Sequence, residues 1–240
     1  MKRSQLLQTL FGDSWQAEVD TESFFSGTGR ADEDTVQVIG TDNATEVGVD
    51  LALAMAGAIL STVRSQPGRP ILFLLDTQGQ RLRRRDELLG LNGYMAHLAK
   101  CVEIARSRGH RILSLVYGQA VSGGYLTTGM MADACYALAD AEIKVMNLPA
   151  MSRITKIPLE RLEALATESP VFSPGVQNYH RMGHLSEIWQ GDLPGCLQQA
   201  LAALAAPGWG ESDDTRMAHG LKRGGRTRAQ LVADRVRRYA

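Results

Sequence analysis

Two glycine-bearing stretches hold the residues best suited to chemistry. One is Asp76-Thr77-Gln78-Gly79-Gln80, which follows the apolar run Ile71-Leu72-Phe73-Leu74-Leu75. The other is Val116-Tyr117-Gly118-Gln119-Ala120-Val121-Ser122-Gly123-Gly124-Tyr125, which follows the apolar run 112–115. Each lies where a buried strand gives way to a turn, and the second opens a helix at its paired glycines. The first N–H groups of a helix have no intrahelical acceptor and are oriented to receive an anion. Glycine suits such a place because no Cβ holds a ligand away from the backbone. Two amides, one from each stretch, can converge on a single oxygen. Breaking a C–H or C–CO2 bond beside a thioester places negative charge on the thioester oxygen, and preorganised donors there lower the barrier by several kcal/mol. Close-packed corners between strand and helix use the same residues, so a structural role stays open at this point.

Other chemistries find less support. Ser122 follows Ala120-Val121 and is not in GxSxG, so it does not sit on a nucleophile elbow. GxxxxGK[ST] and GxGxxG are both missing, which removes the usual nucleotide-phosphate cradles. His180 and His184 have helical i, i+4 spacing, but Gly183 lies between them and no HExxH glutamate accompanies them, so no metal site is expected. Asp76 at a strand end suits acid–base work or simple turn duty. The run Arg81-Leu82-Arg83-Arg84-Arg85 reads either as a solvated loop offset by Asp86 and Glu87, or as an anion-recognition surface. Its anion would be a substrate carboxylate, a phosphopantetheine phosphate or an acidic carrier protein. The basic segment 222–228 reads as surface.

Bulk properties narrow the classes further. With 26 basic and 26 acidic residues among 240, the chain has no net charge to favour nucleic acid or an anionic membrane. Cys101, Cys135 and Cys196 are odd in number and form no CxxC, so buried reduced thiols are expected. The N-terminus has no signal-peptide core, and the apolar stretch 51–60 is shorter than the roughly 20 residues that span a bilayer. A cytoplasmic location is expected.

The elements that would position the two stretches can be read in order. Residues 1–33 read as an N-terminal arm that packs on this chain or on a partner, and 34–240 as a single domain. Strands are expected at 35–40, 71–75, 111–117, 135–138, 142–146 and 186–190. Helices are expected at 51–64, capped by Asp50, and as one long helix from Asp86 to about Arg108. Further helices are expected at 123–131, 158–166, 176–182, 193–206 and 227–239, with a turn at Ser173-Pro174-Gly175. No internal repeat is visible. The alternation predicts an α/β layered fold, in which ligands collect at the C-terminal ends of the strands, where both glycine stretches lie.

An ordered set of motifs carries a resemblance. It comprises Phe73-Leu74-Leu75-Asp76-Thr77-Gln78-Gly79-Gln80, Arg84-Arg85-Asp86-Glu87-Leu88-Leu89-Gly90, Gly109-His110-Arg111 and the stretch from Val116 to Gly124. Met131-Ala132-Asp133, Val145-Met146-Asn147-Leu148-Pro149-Ala150-Met151 and the run Pro170-Val171-Phe172-Ser173-Pro174-Gly175-Val176-Gln177-Asn178-Tyr179 continue it. Together they resemble the gamma subunit of biotin-independent malonate decarboxylase and, more remotely, acyl-CoA carboxyltransferase half-domains. The resemblance implies a crotonase-like spiral of ββα units and a carboxy-lyase that works within a hetero-oligomeric complex. Its partners would be a homologous beta subunit and an acyl carrier protein. The carrier's 2′-(5″-phosphoribosyl)-3′-dephospho-CoA arm would present malonyl thioester, which becomes acetyl thioester and CO2 without biotin or any cofactor in this chain. It further implies Gly79 and Gly123 or Gly124 as oxyanion-hole N–H donors, and Gln78, Gln80, Ser122, Arg84 and Arg85 are expected to contact substrate or carrier. Where many carboxyltransferases have proline, Gln78 restores a backbone N–H. Another crotonase-type thioester enzyme, an acyl-CoA carboxyltransferase subunit and a non-catalytic assembly subunit are the alternatives.

Overall fold

The computed structural model describes residues 1–146, 148–168, 174–206, 214–225 and 227–239. Helix α1 (Arg3–Phe11) buries Leu6, Leu7, Leu10 and Phe11, and leads into strands β1 (Gln16–Asp20) and β2 (Phe24–Ala31). Strand β2 pairs antiparallel with β3 (Asp34–Thr41) from Phe24↔Thr41 to Ala31↔Asp34. Residues 1–33, expected as an arm, therefore lie on this chain and build the antiparallel edge of its sheet. The chain continues through β4 (Thr45–Val47), α2 (Val49–Ser65), β5 (Ile71–Gln80), α3 (Arg84–Leu88), α4 (Leu91–Ser107), β6 (Ile112–Val121) and α5 (Ser122–Leu126). After a 3-10 turn at Gly129–Met131 come β7 (Ala134–Leu138), β8 (Glu142–Lys144), α6 (Leu148–Thr155), α7 (Leu159–Glu168) and α8 (Val176–Arg181). The last elements are β9 (Glu187–Trp189), α9 (Leu193–Ala205), α10 (Arg216–Lys222) and α11 (Thr227–Tyr239).

Strands β5 and β6 organise everything else, because each belongs to two layers. Their first halves lie in the main sheet, order β1-β2-β3-β5-β6-β7-β9. There Gln37↔Ile71 begins the parallel pairing of β3 with β5, and Leu113↔Ala134 begins that of β6 with β7. Ile71 to Leu75 are completely buried, as a strand covered on both faces requires, which accounts for the uninterrupted apolar run. Beyond Leu75 the neighbours change. The second half of β5 pairs with β4 (Thr45↔Thr77 to Val47↔Gln80), and that of β6 pairs with β8 (Gln119↔Glu142 to Val121↔Lys144). Between β5 and β6 the register moves from Leu75↔Val116 to Thr77↔Ala120, a bulge that bends both strands together.

A repeat follows that the sequence hides. The pairs β3 and β4, the two halves of β5, the two halves of β6, and β7 and β8 each supply a core strand and a short strand of the second layer. A helix follows each pair. This is the crotonase-like spiral of ββα units.

Asp76 braces the bend. Its Oδ1 accepts the Gln119 N–H (2.7 Å), its Oδ2 accepts the Ala44 N–H (2.9 Å), and its own N–H donates to Thr41 Oγ1 (3.1 Å). Turn duty, not proton transfer, occupies this carboxylate. Replacing Asp76 with alanine leaves two backbone donors without their acceptor, so we expect a stability loss of about 2–4 kcal/mol. Urea unfolding of the full chain measures it, and a loss below about 1 kcal/mol would contradict the bracing role.

Several expected elements are corrected. The strands at 71–75 and 111–117 run on to Gln80 and Val121; only their two-sided burial ends where the apolar letters end. The single helix from Asp86 is two helices, because Gly90 takes the left-handed conformation (φ 76°) between α3 and α4. The helix expected at 123–131 is only five residues long before the 3-10 turn. Asp50 does not cap α2. The N-cap is Gly48, and the distant Asp86 accepts the Val49 N–H at 2.9 Å. Helix α6 was not anticipated, the strand at 142–146 ends at Lys144, and Ser173 of the expected turn lies outside the described residues. Among the described residues no helix is long and apolar enough to cross a membrane.

Candidate functional site

The glycine stretches meet at the end of the second layer. Strand β6 passes into α5 without a linker, and Ser122 makes the corner with φ 48°, a left-handed backbone that non-glycine residues rarely adopt. Across from it, Gly79 has φ 100°. A Cβ on Gly124 would lie 3.0 Å from Gly79 Cα and from Thr77 Oγ1, and a Cβ on Gly79 would lie 2.9 Å from Val121 O. The two backbones thus touch where only glycine lets them.

The amide partners differ in kind. Gly79 N–H donates to Thr77 Oγ1 (3.0 Å), and that hydroxyl donates to Thr45 O (2.7 Å). Thr77 is buried, so the Gly79 amide is engaged within the fold. Gly123 N–H donates to Gln80 Oε1 (2.8 Å). Gln80 is half-buried, and its amide oxygen sits at the end of a long rotatable side chain. The structure therefore brings Gly79, Gln80, Ser122, Gly123 and Gly124 together, with Gln78 exposed beside them.

Helix α5 is supported from behind by residues the sequence did not single out together. Tyr125 OH hydrogen-bonds His184 Nε2, and the His184 ring stands edge-on to Tyr125 and Tyr179 at 5.5 and 5.7 Å. Burial raises the Tyr125 phenol well above its usual range, so it remains protonated. His184 thus serves the helix that carries the glycines. No spacing rule exposes that pairing, since it joins positions 59 residues apart.

The arginine run is largely consumed inside the chain. Arg81 binds Asp86 through both Nε and Nη2 at 2.9 Å, Arg85 binds Asp50 on α2 at 2.7 and 3.2 Å, and Arg83 reaches Glu46 at 3.5 Å. Arg84 is exposed. Asp86 is 1% exposed, and its hydrogen bonds from Arg81 and from the Val49 N–H lower its pKa from 3.8 to about 2. A carboxylate whose folded pKa is depressed contributes stability in full above pH 3.8 and loses it as pH falls through about 2. We therefore expect Asp86→Asn to lower the melting temperature at pH 7 and to flatten its acid limb between pH 4 and 2. Parallel melting curves across that range would contradict this linkage.

A cleft of about 720 Å³ runs between α2 and the β1–β2 hairpin, with Phe24, Ala54, Gly57 and Ser61 along it and Glu46 and Arg81 at one end. The candidate glycines do not line it.

Comparison with known proteins places the geometry. The family model of the malonate decarboxylase gamma subunit matches residues 42–240. The malonyl-S-ACP:biotin-protein carboxyltransferase MADD of Malonomonas rubra is 32% identical over 151 residues, which are 59% of this chain and 52% of that protein. The chain thus spans about half the length of this relative. Among solved structures, a chain of a Pseudomonas malonate decarboxylase hetero-tetramer in complex with coenzyme A superposes with a TM-score of 0.77 at 26% identity. That match covers 98% of this chain and 96% of the other. Transcarboxylase 12S shares the fold, with a TM-score of 0.71 at 16% identity over 85% of this chain and 42% of that one. With the family match extending over most of its length, the chain belongs to the malonate decarboxylase gamma subunit family.

Proposed function

We propose that this chain, together with a homologous beta subunit, converts malonyl-S-acyl carrier protein to acetyl-S-acyl carrier protein and CO2. The substrate is carried on the carrier's phosphoribosyl-dephospho-CoA arm, and biotin takes no part. The observation that carries this reading is the apposition of the Gly79 and Gly124 backbones. It sets the first amides of α5 beside a replaceable acceptor, Gln80. The C–CO2 bond breaks heterolytically, its electron pair forms the enolate, and the developing oxygen charge is met by the Gly123 and Gly124 amides. Gly79 acts by its missing side chain, and Gln80 holds Gly123 N–H until an oxygen of the substrate replaces it. The carbon is then protonated. No side-chain base is needed to start the reaction, which accords with the Asp76 carboxylate being tied to two backbone amides. Three free thiols suit a reducing cytoplasm.

The test is reconstitution of the chain with its beta subunit on malonyl-loaded carrier. The expected result is CO2 release with acetyl thioester formed in equal amount, and neither subunit active alone. A reconstituted pair that releases no CO2 overturns the proposal. The name of the Malonomonas relative favours a second reading, in which the carboxyl group passes to a biotin protein. Acetyl thioester formation that depends on added biotin protein, with carboxybiotin formed in place of free CO2, would select it.

A further inference from the structure

The structure treats the basic run at 81–85 and the basic helix α11 differently. In the run at 81–85, Arg81, Arg83 and Arg85 each hold a carboxylate of the same chain, and Arg84 is exposed. Helix α11 differs. It has four arginines and one carboxylate, Asp234, which lies 3.7 Å from Arg237. Arg235 and Arg238 are exposed and, among the described residues, pair with no carboxylate.

The same helix leaves its apolar side chains in water: Leu231 65%, Val232 61%, Val236 62% and Tyr239 91% exposed. At 3.6 residues per turn these four fall within about 140° of the helix circumference. Arg235 lies inside that arc and Arg238 at its border. A 13-residue helix is marginal alone in water, and an apolar stripe is normally what packing covers. A face combining uncovered aliphatics with unpaired guanidinium groups fits a surface that offers an apolar floor and carboxylates. Three aliphatic residues without Trp or Phe are a small area for insertion into lipid, which favours a protein partner.

We propose that α11 is the docking helix for an acidic protein, the carrier that delivers the malonyl thioester, and that Arg235 and Arg238 supply its charge recognition. This rests on the reading that the substrate arrives on a carrier.

The experiment compares the wild-type complex of this chain and its beta subunit with one carrying Arg235→Glu and Arg238→Glu, and with one carrying Val236→Asp. Carrier binding is followed by fluorescence anisotropy at two salt concentrations. Turnover is measured on malonyl carrier and on malonyl-CoA, which needs no carrier surface. Expected are salt-sensitive carrier binding by the wild type and at least about tenfold weaker binding by both variants, with malonyl-CoA turnover and beta-subunit assembly unchanged. Carrier affinity unaffected by the charge reversal overturns the proposal. So does loss of assembly with the beta subunit, which would make α11 an assembly element. Binding of α11 to phosphatidylserine vesicles with no effect on the carrier would do the same. If the wild type binds carrier through α11 but turns over neither thioester, the docking stands and the decarboxylation fails.

Discussion

Replacing Gly124 with valine will lower turnover of the reconstituted complex by about 100-fold or more while leaving the chain folded and assembled. The new Cβ lies 3.0 Å from both Gly79 Cα and Thr77 Oγ1, and two of its three neighbours are backbone atoms that cannot rotate away. Strand β5 is held by β4 on its other side, so α5 must give, and the Gly123 and Gly124 amides move with it. Displacements of about 1 Å at a reacting centre cost on the order of 100-fold, as does the loss of one oxyanion donor. Alanine will produce a smaller fall in the same direction. The checks are kcat on malonyl carrier, and gel filtration with the beta subunit. A folded, assembled valine variant with wild-type kcat would remove the α5 amides from the reaction.

The largest expected stability effect lies one layer below. In Gly118→Val the added Cβ would sit 2.4 Å from Asp76 Cγ and from Oδ1. Asp76 must then swing out and release the Gln119 and Ala44 amides, so overpacking and lost hydrogen bonds act together. We expect a cost of about 3–5 kcal/mol. The distinctive expectation is non-additivity. In the Asp76→Ala background most of the obstructing atoms are gone, and the same valine will cost less than half as much. Urea unfolding of the two single variants, the double variant and the wild type closes the cycle. Strict additivity would show that Gly118 is not kept small by Asp76.

Gly79 and Gly124 illustrate how the sequence could be read and where it could not. The motif stretches around Gly79 and Gly124 were visible because residue type and position after an apolar run are local properties. Their apposition was not, because it depends on a bulge at Asp76 and Gly118 that shifts two strands together. Likewise Arg81–Arg85 suggested an anion surface until its partners came into view. Asp50 lies 35 residues before Arg85, and Glu46 lies 37 before Arg83. Helix α11 was visible as a helix, yet nothing in its letters distinguishes a covered stripe from an uncovered one.

The sequence by itself determined the α/β alternation, the buried strands at Ile71 and Ile112, the two glycine stretches and the family resemblance. Each follows from burial on both faces, from backbone freedom at glycine, or from an ordered set of motifs. Only the tertiary structure decided that both strands continue past their apolar runs into a second layer, because those halves pair with three-residue neighbours and have no two-sided burial to mark them. It also decided that Asp76 braces backbone amides, that Gly79 N–H donates to buried Thr77 while Gly123 N–H donates to the Gln80 side chain, and that Arg81 and Arg85 are held by carboxylates of the same chain. Each of these depends on which distant residue arrives at hydrogen-bonding distance, and chain pairing rather than local pattern settles that.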